Sequence, residues 1–287
     1  MTRVVVLGDV MTDVVAVLER PFAPGSDAPA RIERHLGGSG ANVAAWLAAA
    51  GTPVTLVARV GADEAGRAAP PALEAAGVEM RAAVDPDLPT GTCIVLVGPG
   101  GERSMVPDAG ANAALAPDGL PAGGHLHVAG YALLREASRA AARAAIALAR
   151  ERGMTVSVDP SSAAPLAAAG GFLEWVAGAD LLLPNAAEAA ALTGEADPER
   201  AARALTAGGA EVVVTLGADG ALWTDGRSVA RADAEPVAAV VDTTGAGDAF
   251  AAGLLAAHLA GAGPADALRA GCRLAAQAVA KAGGYID

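Results

Sequence analysis

Aromatic residues, cysteine and positive charge are all scarce in this sequence of 287 residues, and each shortage disfavours a class of protein or of ligand. Only two cysteines are present, Cys93 and Cys272, which is too few for a disulfide framework or a cysteine-based metal site. We expect both thiols to be small buried groups in a reducing compartment. The formal net charge is -12 and no run of Lys and Arg offsets it, so nucleic acid is excluded as a partner.

Long uninterrupted hydrophobic runs are also absent. The longest uncharged stretch near the C-terminus lies between Asp248 and Asp266, and it is interrupted by His258 and by a GAGP turn at 261–264. We therefore expect no transmembrane helix and no membrane partner. The opening residues MTRVVVLGDVMTD contain too short an apolar run for a signal peptide, so the sequence predicts a cytoplasmic protein.

What the sequence does contain is a regular alternation of strands and helices. Short β-branched runs such as RVVVLG and PVTLVARVG alternate with alanine-rich helical stretches, and hydrophobic residues make up 53% of the chain. Near-continuous apolar strands separated by helices are typical of a mainly parallel sheet that is covered on both faces. The pattern predicts one large α/β domain whose last strand is PVAAVV, 236–241.

Two segments depart from this alternation. Residues from about 13–36 and 90–107 contain strand and hairpin patterns without intervening helices, and the GPGGE turn at 98–102 is a strong hairpin signal. They predict a small second sheet that projects as a flap, with an edge hairpin without function as the alternative. Between them, Pro70 and Pro71 interrupt a helical pattern, so we expect that helix to be kinked or split.

The stretch DTTGAGDAF, 242–250, joins the last predicted strand to a helix. Because Gly245, Ala246 and Gly247 are small, an anion can approach the unpaired N–H groups at the helix start, where the helix dipole adds positive charge. Asp248 then has two interpretations. Its carboxylate either complements the helix dipole or accepts a proton from a hydroxyl that attacks a bound phosphate.

Two common nucleotide-binding motifs do not fit this stretch. A dinucleotide-binding fingerprint needs a third glycine where the chain has Phe250, and it usually opens its domain. A Walker A loop needs the sequence G-K-[ST], which does not occur. A second glycine cluster lies in HLGGSGANVAAWLAAAG, 35–51, at another strand-to-helix junction. There the backbone and the amide of Asn42 are placed to meet a polyhydroxyl ligand.

Together these two stretches resemble the signature motifs of the ribokinase-like carbohydrate kinases, the phosphofructokinase B (PfkB) family. The N-terminal match consists of Gly37, Gly38, Gly40, Asn42, Ala44, Gly51 and Gly61, and the C-terminal match of Asp242, Gly247, Asp248 and Gly253. The resemblance covers essentially the whole chain. It implies a single ribokinase-like domain over 1–287, a three-layer α/β/α sandwich with a mainly parallel central sheet, and a small β-sheet lid formed by the two strand-rich segments.

The resemblance also implies an ATP-dependent kinase that transfers the γ-phosphate to a hydroxyl of a small sugar or sugar derivative. Asp248 would be the general base, and the N–H groups of Gly245, Ala246 and Gly247 would form the anion hole. The substrate-binding residues that it implies are Asp13, Gly37, Gly38 and Asn42. Those beside ATP are Asn185, Glu188, Thr215, Gly217 and Gly220.

Metal ions and further contacts follow from the same resemblance. Glu188 would hold Mg²⁺ through water, and a monovalent cation such as K⁺ would lie beside Asp242, Thr244 and the stretch AKAGGYID, 280–287. Arg103, in the flap, is a candidate contact to a substrate carboxylate or phosphate, although a solvated charge explains it equally well. Tyr131 is a candidate for stacking on a base. Members of the family often form homodimers through their flaps, and an exposed sheet edge is a physical reason to do so.

The identity of the substrate is left open by the sequence. VSVDPSSAA, 156–164, lacks the Asn and Arg of the D-x-N-x-R pattern of several sugar and sugar-acid kinases, which disfavours those subgroups. Pentoses, hexoses, ketodeoxy sugar acids and nucleosides such as adenosine or pseudouridine all stay open. An aromatic content of 3% leaves few residues for a base-stacking pocket, so sugars are favoured over nucleosides. A noncatalytic sugar-binding protein and an NAD-dependent oxidoreductase are the alternatives from other classes.

Overall fold

Two sheets of unequal size organise the structure, a computed structural model that describes residues 1–100, 103–116, 119–280 and 283–284. The strands within these residues are β1 (Val4–Leu7), β2 (Met11–Leu18), β3 (Ala30–Gly37), β4 (Val54–Gly61), β5 (Glu79–Asp85), β6 (Gly91–Val97), β7 (Arg103–Asp108), β8 (His125–Ala129), β9 (Thr155–Asp159), β10 (Leu181–Leu182), β11 (Glu211–Thr215), β12 (Ala221–Thr224) and β13 (Val229–Ala232).

The helices connect these strands and cover the larger sheet. They are α1 (Ser39–Ala49), α2 (Glu64–Ala75), α3 (Tyr131–Leu134), α4 (Glu136–Glu151), α5 (Ala163–Ala168), α6 (Phe172–Trp175), α7 (Ala186–Thr193), α8 (Pro198–Leu205), α9 (Ala246–Leu259) and α10 (Pro264–Val279). Short 3₁₀ turns occur at Gly110–Ala114, Thr206–Gly208 and Gly217–Asp219.

The larger sheet has nine strands in the order β13-β12-β11-β10-β9-β8-β1-β4-β5. Its strands are parallel except at one edge, where β12 is antiparallel to both β11 and β13. Successive residues of β1 face opposite sides of the sheet. Val4 and Val6 pack with α1, α9 and α10, whereas Val5 and Leu7 pack with α4 and α8. The fold is therefore the predicted three-layer α/β/α sandwich with a mainly parallel sheet.

The smaller sheet has four strands in the order β3-β2-β6-β7. Strand β2 is antiparallel to β3 and parallel to β6, and β6 is antiparallel to β7. All four strands come from the two segments that lack a helical pattern in the sequence. Met11, Cys93 and Val95 form its small apolar core. Gly101 and Glu102 of the predicted GPGGE turn lie outside the described residues.

Parallel strands bring several chain segments to one edge of the larger sheet. Strands β1, β8, β9, β10 and β11 are consecutive neighbours in space and all point the same way. The loops that follow them therefore meet at the carboxyl edge, which is where ligands bind in open α/β sheets. The smaller sheet begins with β2, three residues after the end of β1, so it is attached to this same edge.

The prediction of a last strand at 236–241 is wrong. No strand is assigned there, and Val240 and Val241 are 60% and 61% exposed. The N–H of Val241 donates to the carbonyl of Val279 in α10, 2.8 Å away, instead of to a neighbouring strand. An apolar run forms a strand only where it pairs with a neighbouring strand, and this segment lies against α10 instead of adding to the sheet beside β13.

The helix that contains Pro70 and Pro71 is not split, because α2 runs through both from Glu64–Ala75. The two prolines remove the N–H donors that would bond the carbonyls one turn earlier. Two features keep the helix continuous. The Asp63 side chain caps its first turn by accepting from the N–H of Gly66 at 2.8 Å, and Leu73 is fully buried against the sheet.

None of the helices in the described ranges combines the length and apolar character that crossing a bilayer requires. Both cysteines are free and buried. Cys272 lies in the core beside α9, and Cys93 lies in the smaller sheet on the side of the cavity described below.

Two buried histidines lie side by side on β8. The hydroxyl of Ser157 on β9 bonds both rings, at 2.7 Å from Nε2 of His125 and 2.9 Å from Nδ1 of His127. The other ring nitrogen of His127 has no hydrogen-bond partner among the described residues. Burial lowers the pKa of His125 to about 3 and the pKa of His127 to about 4, with a smaller effect of His127 on His125. Both rings are therefore neutral in the folded protein.

Replacing His127 with Leu should make the protein less sensitive to mild acid. In the unfolded chain histidine titrates near pH 6.5, so below that pH the unfolded state binds a proton that the folded state rejects until about pH 4. Each such group removes about 1.4 kcal/mol of stability per pH unit. The free energy of unfolding can be measured by urea denaturation at several pH values between 7.5 and 5. Plotted against pH, it should have a slope that is lower by about this amount in His127→Leu.

The comparison of slopes matters because buried carboxyl groups with raised pKa values act in the opposite direction over the same range. Asp13 and Asp248, both with a pKa of about 6, bind protons in the fold before they do so in the unfolded chain. Parallel stability curves for the two proteins would show that His127 is not neutral in the fold.

Candidate active site

A cavity of about 450 Å³ lies between the carboxyl edge of the larger sheet and the smaller sheet. Most of the site residues predicted from the sequence line it. They are Asp13, Gly38, Asn42, Arg103, Tyr131, Asn185, Glu188, Thr215, Thr244, Gly245, Gly247 and Asp248. Five predicted residues are outside the lining. Three of them are next to a lining residue or in the loop before α9, and two lie in the turn between β11 and β12: Gly37, Ala246 and Asp242, and Gly217 and Gly220.

Asp248 lies in the first turn of α9. Gly245 precedes the helix in a left-handed conformation, with φ of 74°. The N–H of Ala246 makes a long bond to the carbonyl of Thr243, 3.3 Å, whereas those of Gly245, Gly247 and Asp248 have no acceptor among the described residues. A set of unpaired N–H groups at a helix start attracts anions.

Both carboxylate oxygens of Asp248 are held by α1. Oδ1 accepts from the Ser39 hydroxyl at 2.7 Å, and Oδ2 accepts from the Asn42 amide at 2.8 Å. Burial raises the pKa of Asp248 to about 6, the hydrogen bonds from Asn42 and Ser39 lower it, and the nearby carboxylates of Asp9 and Asp13 raise it. This carboxylate is fixed in direction and is a stronger base than an exposed aspartate.

The glycine cluster places α1 close enough to make these contacts. Gly37 ends β3, Gly38 follows with φ of 101°, and α1 begins at Ser39. A Cβ on Gly40 would lie 2.7 Å from backbone atoms of Gly8, so only glycine lets the helix approach the end of β1 this closely. Asp9 joins the end of β1 to the start of α1 by two hydrogen bonds. Its carboxylate accepts from the N–H of Gly40 at 3.2 Å, and its carbonyl accepts from the N–H of Ala41 at 3.1 Å.

Asn42 and Asp13 line the cavity and keep polar atoms that pair with no described residue. Asn42 is 4% exposed, and its Oδ1 has no hydrogen-bond partner within the described chain. Asp13 lies on β2 opposite His35, and burial raises its pKa to about 6, helped by Asp9. A Cβ on Gly37 would lie 2.2 Å from the Asp13 carboxylate, so this glycine makes room for that side chain. A ligand with hydroxyl donors would satisfy both oxygens.

The predicted nucleotide residues cluster at the ends of β10 and β11. Asn185 and Glu188 form a capping box at the start of α7, in which Glu188 N–H donates to Asn185 Oδ1 at 2.9 Å and Asn185 N–H donates to Glu188 Oε2 at 2.8 Å. Asn185 also bridges to Thr215. Gly217 and Gly220 lie in the turn between β11 and β12, both with positive φ. A Cβ on Gly220 would lie 2.0 Å from the carbonyl of Ala232, so its role in the turn is steric.

Asp159, at the end of β9, completes the row of acidic side chains, although the sequence indicated no role for it. Its carboxylate accepts from the N–H of Ser161 at 2.6 Å, and Ser161 has a positive φ of 75°. Burial raises the pKa of Asp159 well above its ordinary value, and the charges of Glu188 and Asp248 raise it further. The position of an aspartate directly after a parallel strand was the available signal. Asp9, Ser39 and Arg135 were missed as well, and each lines the same cavity.

Arg103 connects the smaller sheet to the loop before α9. Its guanidinium forms an ion pair with the Asp242 carboxylate and donates to the hydroxyls of Thr243 and Thr244. Burial raises the pKa of Asp242, but hydrogen bonds from the N–H groups of Thr244 and Gly283, with the charge of Arg103, hold it below its ordinary value. Arg103 is therefore engaged by this loop in the structure.

The chain near residue 284 packs behind Gly245, Ala246 and Gly247, which we term the anion loop. Gly283 N–H donates to Asp242 Oδ2 at 2.9 Å, and the Gly284 carbonyl accepts from the indole N–H of Trp46 at 3.2 Å. A Cβ on Gly245 would lie 2.5 Å from the Cα of Gly284. Lys281, Ala282 and 285–287 of the predicted cation-binding stretch lie outside the described residues.

Two glycines of the anion loop should respond to alanine in opposite ways. Gly245→Ala forces a side chain into the left-handed region and against Gly284, so we expect the free energy of unfolding to fall by about 1–3 kcal/mol. Gly247→Ala meets no atom within 4 Å and should leave stability unchanged or slightly higher, while its methyl group projects into the cavity. Chemical denaturation checks both, and equal destabilisation would contradict this account.

Comparison with known proteins matches this arrangement to one family. The model of the pfkB family carbohydrate kinases matches residues 1–287. The 2-dehydro-3-deoxygluconokinase of Thermoproteus tenax is 34% identical, over 93% of this chain and 85% of the relative. The ATP-dependent ribose-1-phosphate kinase of Halopiger xanaduensis is 34% identical, over 90% of this chain and 86% of the relative.

Solved structures share the fold over nearly the whole chain. Ribokinase from Arabidopsis thaliana, complexed with ribose and ATP, superposes with a TM-score of 0.80 at 26% identity, over 98% of this chain and 94% of the other. Adenosine kinase from Sinorhizobium meliloti superposes with a TM-score of 0.91 at 24% identity, over 99% and 96%. The chain belongs to the pfkB family of carbohydrate kinases and is a phosphotransferase of the carbohydrate kinase type.

Proposed function

We propose that this protein transfers the γ-phosphate of ATP to a hydroxyl of a small sugar or sugar derivative, with Asp248 as the general base. One observation carries the proposal. A carboxylate whose two oxygens are fixed by Ser39 and Asn42 lies in the same helical turn as the unpaired N–H groups of the anion loop. A base and an anion-binding site are thus a few ångströms apart, which is what in-line phosphoryl transfer requires.

In this reaction the substrate hydroxyl oxygen forms a bond to the γ-phosphorus as the bond from that phosphorus to the β–γ bridging oxygen breaks, and ADP leaves. The hydroxyl proton passes to Asp248. Because its pKa is about 6, Asp248 is mostly ionised at neutral pH yet basic enough to accept the proton. The N–H groups of Gly245, Ala246 and Gly247 stabilise the charge on the transferring group, and the long bond from Ala246 to Thr243 is readily given up.

The acceptor substrate binds on the side of the cavity next to β1. Asp13 and Asn42 accept hydrogen bonds from its hydroxyls, which gives the unpartnered Oδ1 of Asn42 a donor. Gly37 leaves space for the Asp13 side chain that meets the sugar, Gly38 lets the backbone approach Asp9, and Tyr131 lines the same cavity. The sheet of β2, β3, β6 and β7, which we term the lid sheet, covers this side and excludes water from the reaction.

ATP binds on the side next to β10 and β11, beside Asn185, Glu188, Thr215 and the turn with Gly217 and Gly220. The acidic side chains here fit a magnesium ion that is carried by the nucleotide. Among the described residues no three His, Cys, Asp or Glu side chains form a metal cage, but Glu188 and Asp159 each keep one oxygen that accepts no hydrogen bond from them. Mg²⁺ prefers such partial coordination, with waters and phosphates as its other ligands. When bound, it neutralises phosphate charge.

A monovalent cation also fits beside the anion loop. The backbone carbonyls of Asp242 and Thr244 accept no hydrogen bond from the described residues, so two oxygens are free in the loop that leads into α9. K⁺ at these oxygens would fix the loop that carries Gly245. The proposal uses backbone oxygens only, because the Asp242 carboxylate is occupied by Arg103, Thr244 and Gly283.

Sugars are favoured over nucleosides as the acceptor. Tyr131 is the one aromatic residue besides Phe250 among those that line the described cavity, and a purine would need a flat apolar surface on both sides. The named relatives include kinases of ribose and of sugar derivatives, and the neighbouring structures include an adenosine kinase. A nucleoside kinase of the same family is therefore the second candidate.

We also propose a homodimer that pairs two lid sheets. The face of the lid sheet away from the cavity carries Ile94 and Val106 on neighbouring strands, 45% and 58% exposed, and Ile32 at 62%. Its outer strands β3 and β7 are unpaired edges within the described chain. Exposed apolar residues and open edges are both stabilised by a second copy.

Replacing Asp248 with Asn should abolish most turnover and spare ATP binding. The amide cannot accept the hydroxyl proton, so kcat should fall about 10²- to 10⁴-fold. The test is ATP consumption with Mg²⁺ across pentoses, hexoses, sugar acids and nucleosides, together with calorimetric titration of ATP. In the unmodified protein, kcat should decline below a pH of about 6, where Asp248 becomes protonated.

Near-normal turnover in Asp248→Asn would overturn the base assignment. Activity on nucleosides alone would select the second candidate. If the unmodified protein binds a sugar but consumes no ATP with any acceptor, a noncatalytic sugar-binding role replaces the kinase. Binding of NAD in place of ATP would indicate the oxidoreductase.

Replacing Ile94 with Lys should convert the proposed dimer into a monomer. The charge would be buried between two lid sheets without a partner, which opposes association. Sedimentation velocity measures the change. The matched control is Val84→Lys, at a side chain that is 60% exposed on the edge of the larger sheet, and this variant should stay dimeric. A monomeric unmodified protein would overturn the proposal.

A further inference from the structure

Arg135 is a half-buried cation in the cavity that is not paired with any acceptor in the described chain. It follows α3 at the carboxyl end of β8, and its guanidinium lies over the ring of Tyr131, 5.2 Å from the centroid. No hydrogen bond or ion pair joins this guanidinium to the described residues. The other arginine that lines the cavity, Arg103, is already engaged by Asp242 and two threonine hydroxyls.

The position of Arg135 assigns it to the acceptor side of the cavity. Strand β8 is the immediate neighbour of β1, which leads into Asp9 and Asp13. Strand β9 separates β8 from β10 and β11, whose ends carry the proposed nucleotide residues. With strands about 4.8 Å apart, the end of β8 is two to three strand spacings, about 10–14 Å, from the ends of β10 and β11.

The charges that line the cavity make Arg135 informative about the charge of the acceptor. Five acidic side chains line the cavity: Asp9, Asp13, Asp159, Glu188 and Asp248. A neutral sugar can bind among them through its hydroxyls without any cation. An acceptor that carries its own negative charge would be repelled, unless a cation on the acceptor side were free to pair with it. Arg135 is that cation.

The geometry of the guanidinium limits the kind of group that Arg135 can bind. Its five N–H donors form a planar fork that matches two oxygens of a carboxylate or phosphate. The guanidinium carbon lies over the Tyr131 ring, and this contact uses none of the N–H donors. A single sugar hydroxyl would use one donor and leave the rest without partners in a partly buried site.

We propose that Arg135, supported by Tyr131, binds an anionic group on the acceptor, so that the substrate is a sugar acid or a sugar phosphate. This inference rests on the proposed kinase function. The anionic group is at the end of the substrate away from the hydroxyl that meets Asp248. Arg135 acts as a specificity residue and takes no part in the transfer of the phosphoryl group.

The test compares each anionic acceptor with the neutral compound that lacks its acidic group. The pairs are D-gluconate with D-glucitol, 2-dehydro-3-deoxygluconate with 3-deoxy-D-fructose, and ribose phosphates with ribose, each assayed at saturating ATP. The unmodified protein should prefer the anionic member of a pair. Arg135→Gln should lower kcat/KM for that member about 10- to 100-fold, through KM, which corresponds to the loss of a charge-assisted bidentate contact.

The control is Arg143→Gln, two turns further along α4, where the side chain is exposed and outside the cavity. It should behave as the unmodified protein. In Arg135→Gln the KM for ATP and the turnover of the neutral member should not change. A preference for acids over phosphates, or the reverse, identifies which anion the site takes.

Three results would overturn the inference: preference of the unmodified protein for neutral acceptors, an unchanged KM for the anionic acceptor in Arg135→Gln, or a raised KM for ATP alone. The last would assign Arg135 to the nucleotide. If no acceptor is phosphorylated, the kinase proposal fails, and calorimetric binding of the same pairs still decides the inference. Tighter binding of the anionic member that is lost in Arg135→Gln supports it, and equal binding contradicts it.

Discussion

The contact between Asp248 and the start of α1 is the interaction on which the rest of the site depends. Ser39 and Asn42 are more than 200 positions from Asp248, and both donate to it. These bonds bring two helix N-termini together, one carrying the acceptor-binding residues and the other the anion loop. They also lower the pKa of a carboxylate that burial raises, so the same pair of contacts sets both the direction and the basicity of the base.

Close backbone approach is what makes this contact attainable. Gly40 lies against Gly8, and Gly245 lies against Gly284, at distances that leave no space for a Cβ atom. A helix with ordinary side chains at these points would be held off by the width of a methyl group. The glycines therefore act mainly through the spacing of the backbone, and the functional side chains are carried on the adjacent positions.

The residue pattern was sufficient for the fold and for most of the cavity because the family motifs specify backbone conformation locally. Strand and helix periods, the two glycine clusters and the capping residues Asn185 and Glu188 all act within a few positions of one another. What the sequence could not supply were contacts across the sheet edge. The pairing of Arg103 with Asp242 and the placement of Asp159 near Glu188 and Asp248 depend on which strands become neighbours. The segment 236–241 failed as a strand for the same reason, since pairing is a property of the assembled sheet.

The contact of Trp46 with Gly284 has a consequence for synthesis. These two residues are separated by 238 positions, and the side chains that hold Asp248, Ser39 and Asn42, come from the N-terminal part of the chain. A nascent chain that emerges from the ribosome can form β1 and α1 early, but the acceptor-binding helix then waits for α9 and for the segment that packs behind the anion loop. Such non-local closure is slow, because the entropy of a long loop is lost before the contacts form. Partly synthesised chains therefore hold an open hydrophobic sheet and no competent site, which makes the final stretch of translation the interval in which this protein most needs protection from aggregation.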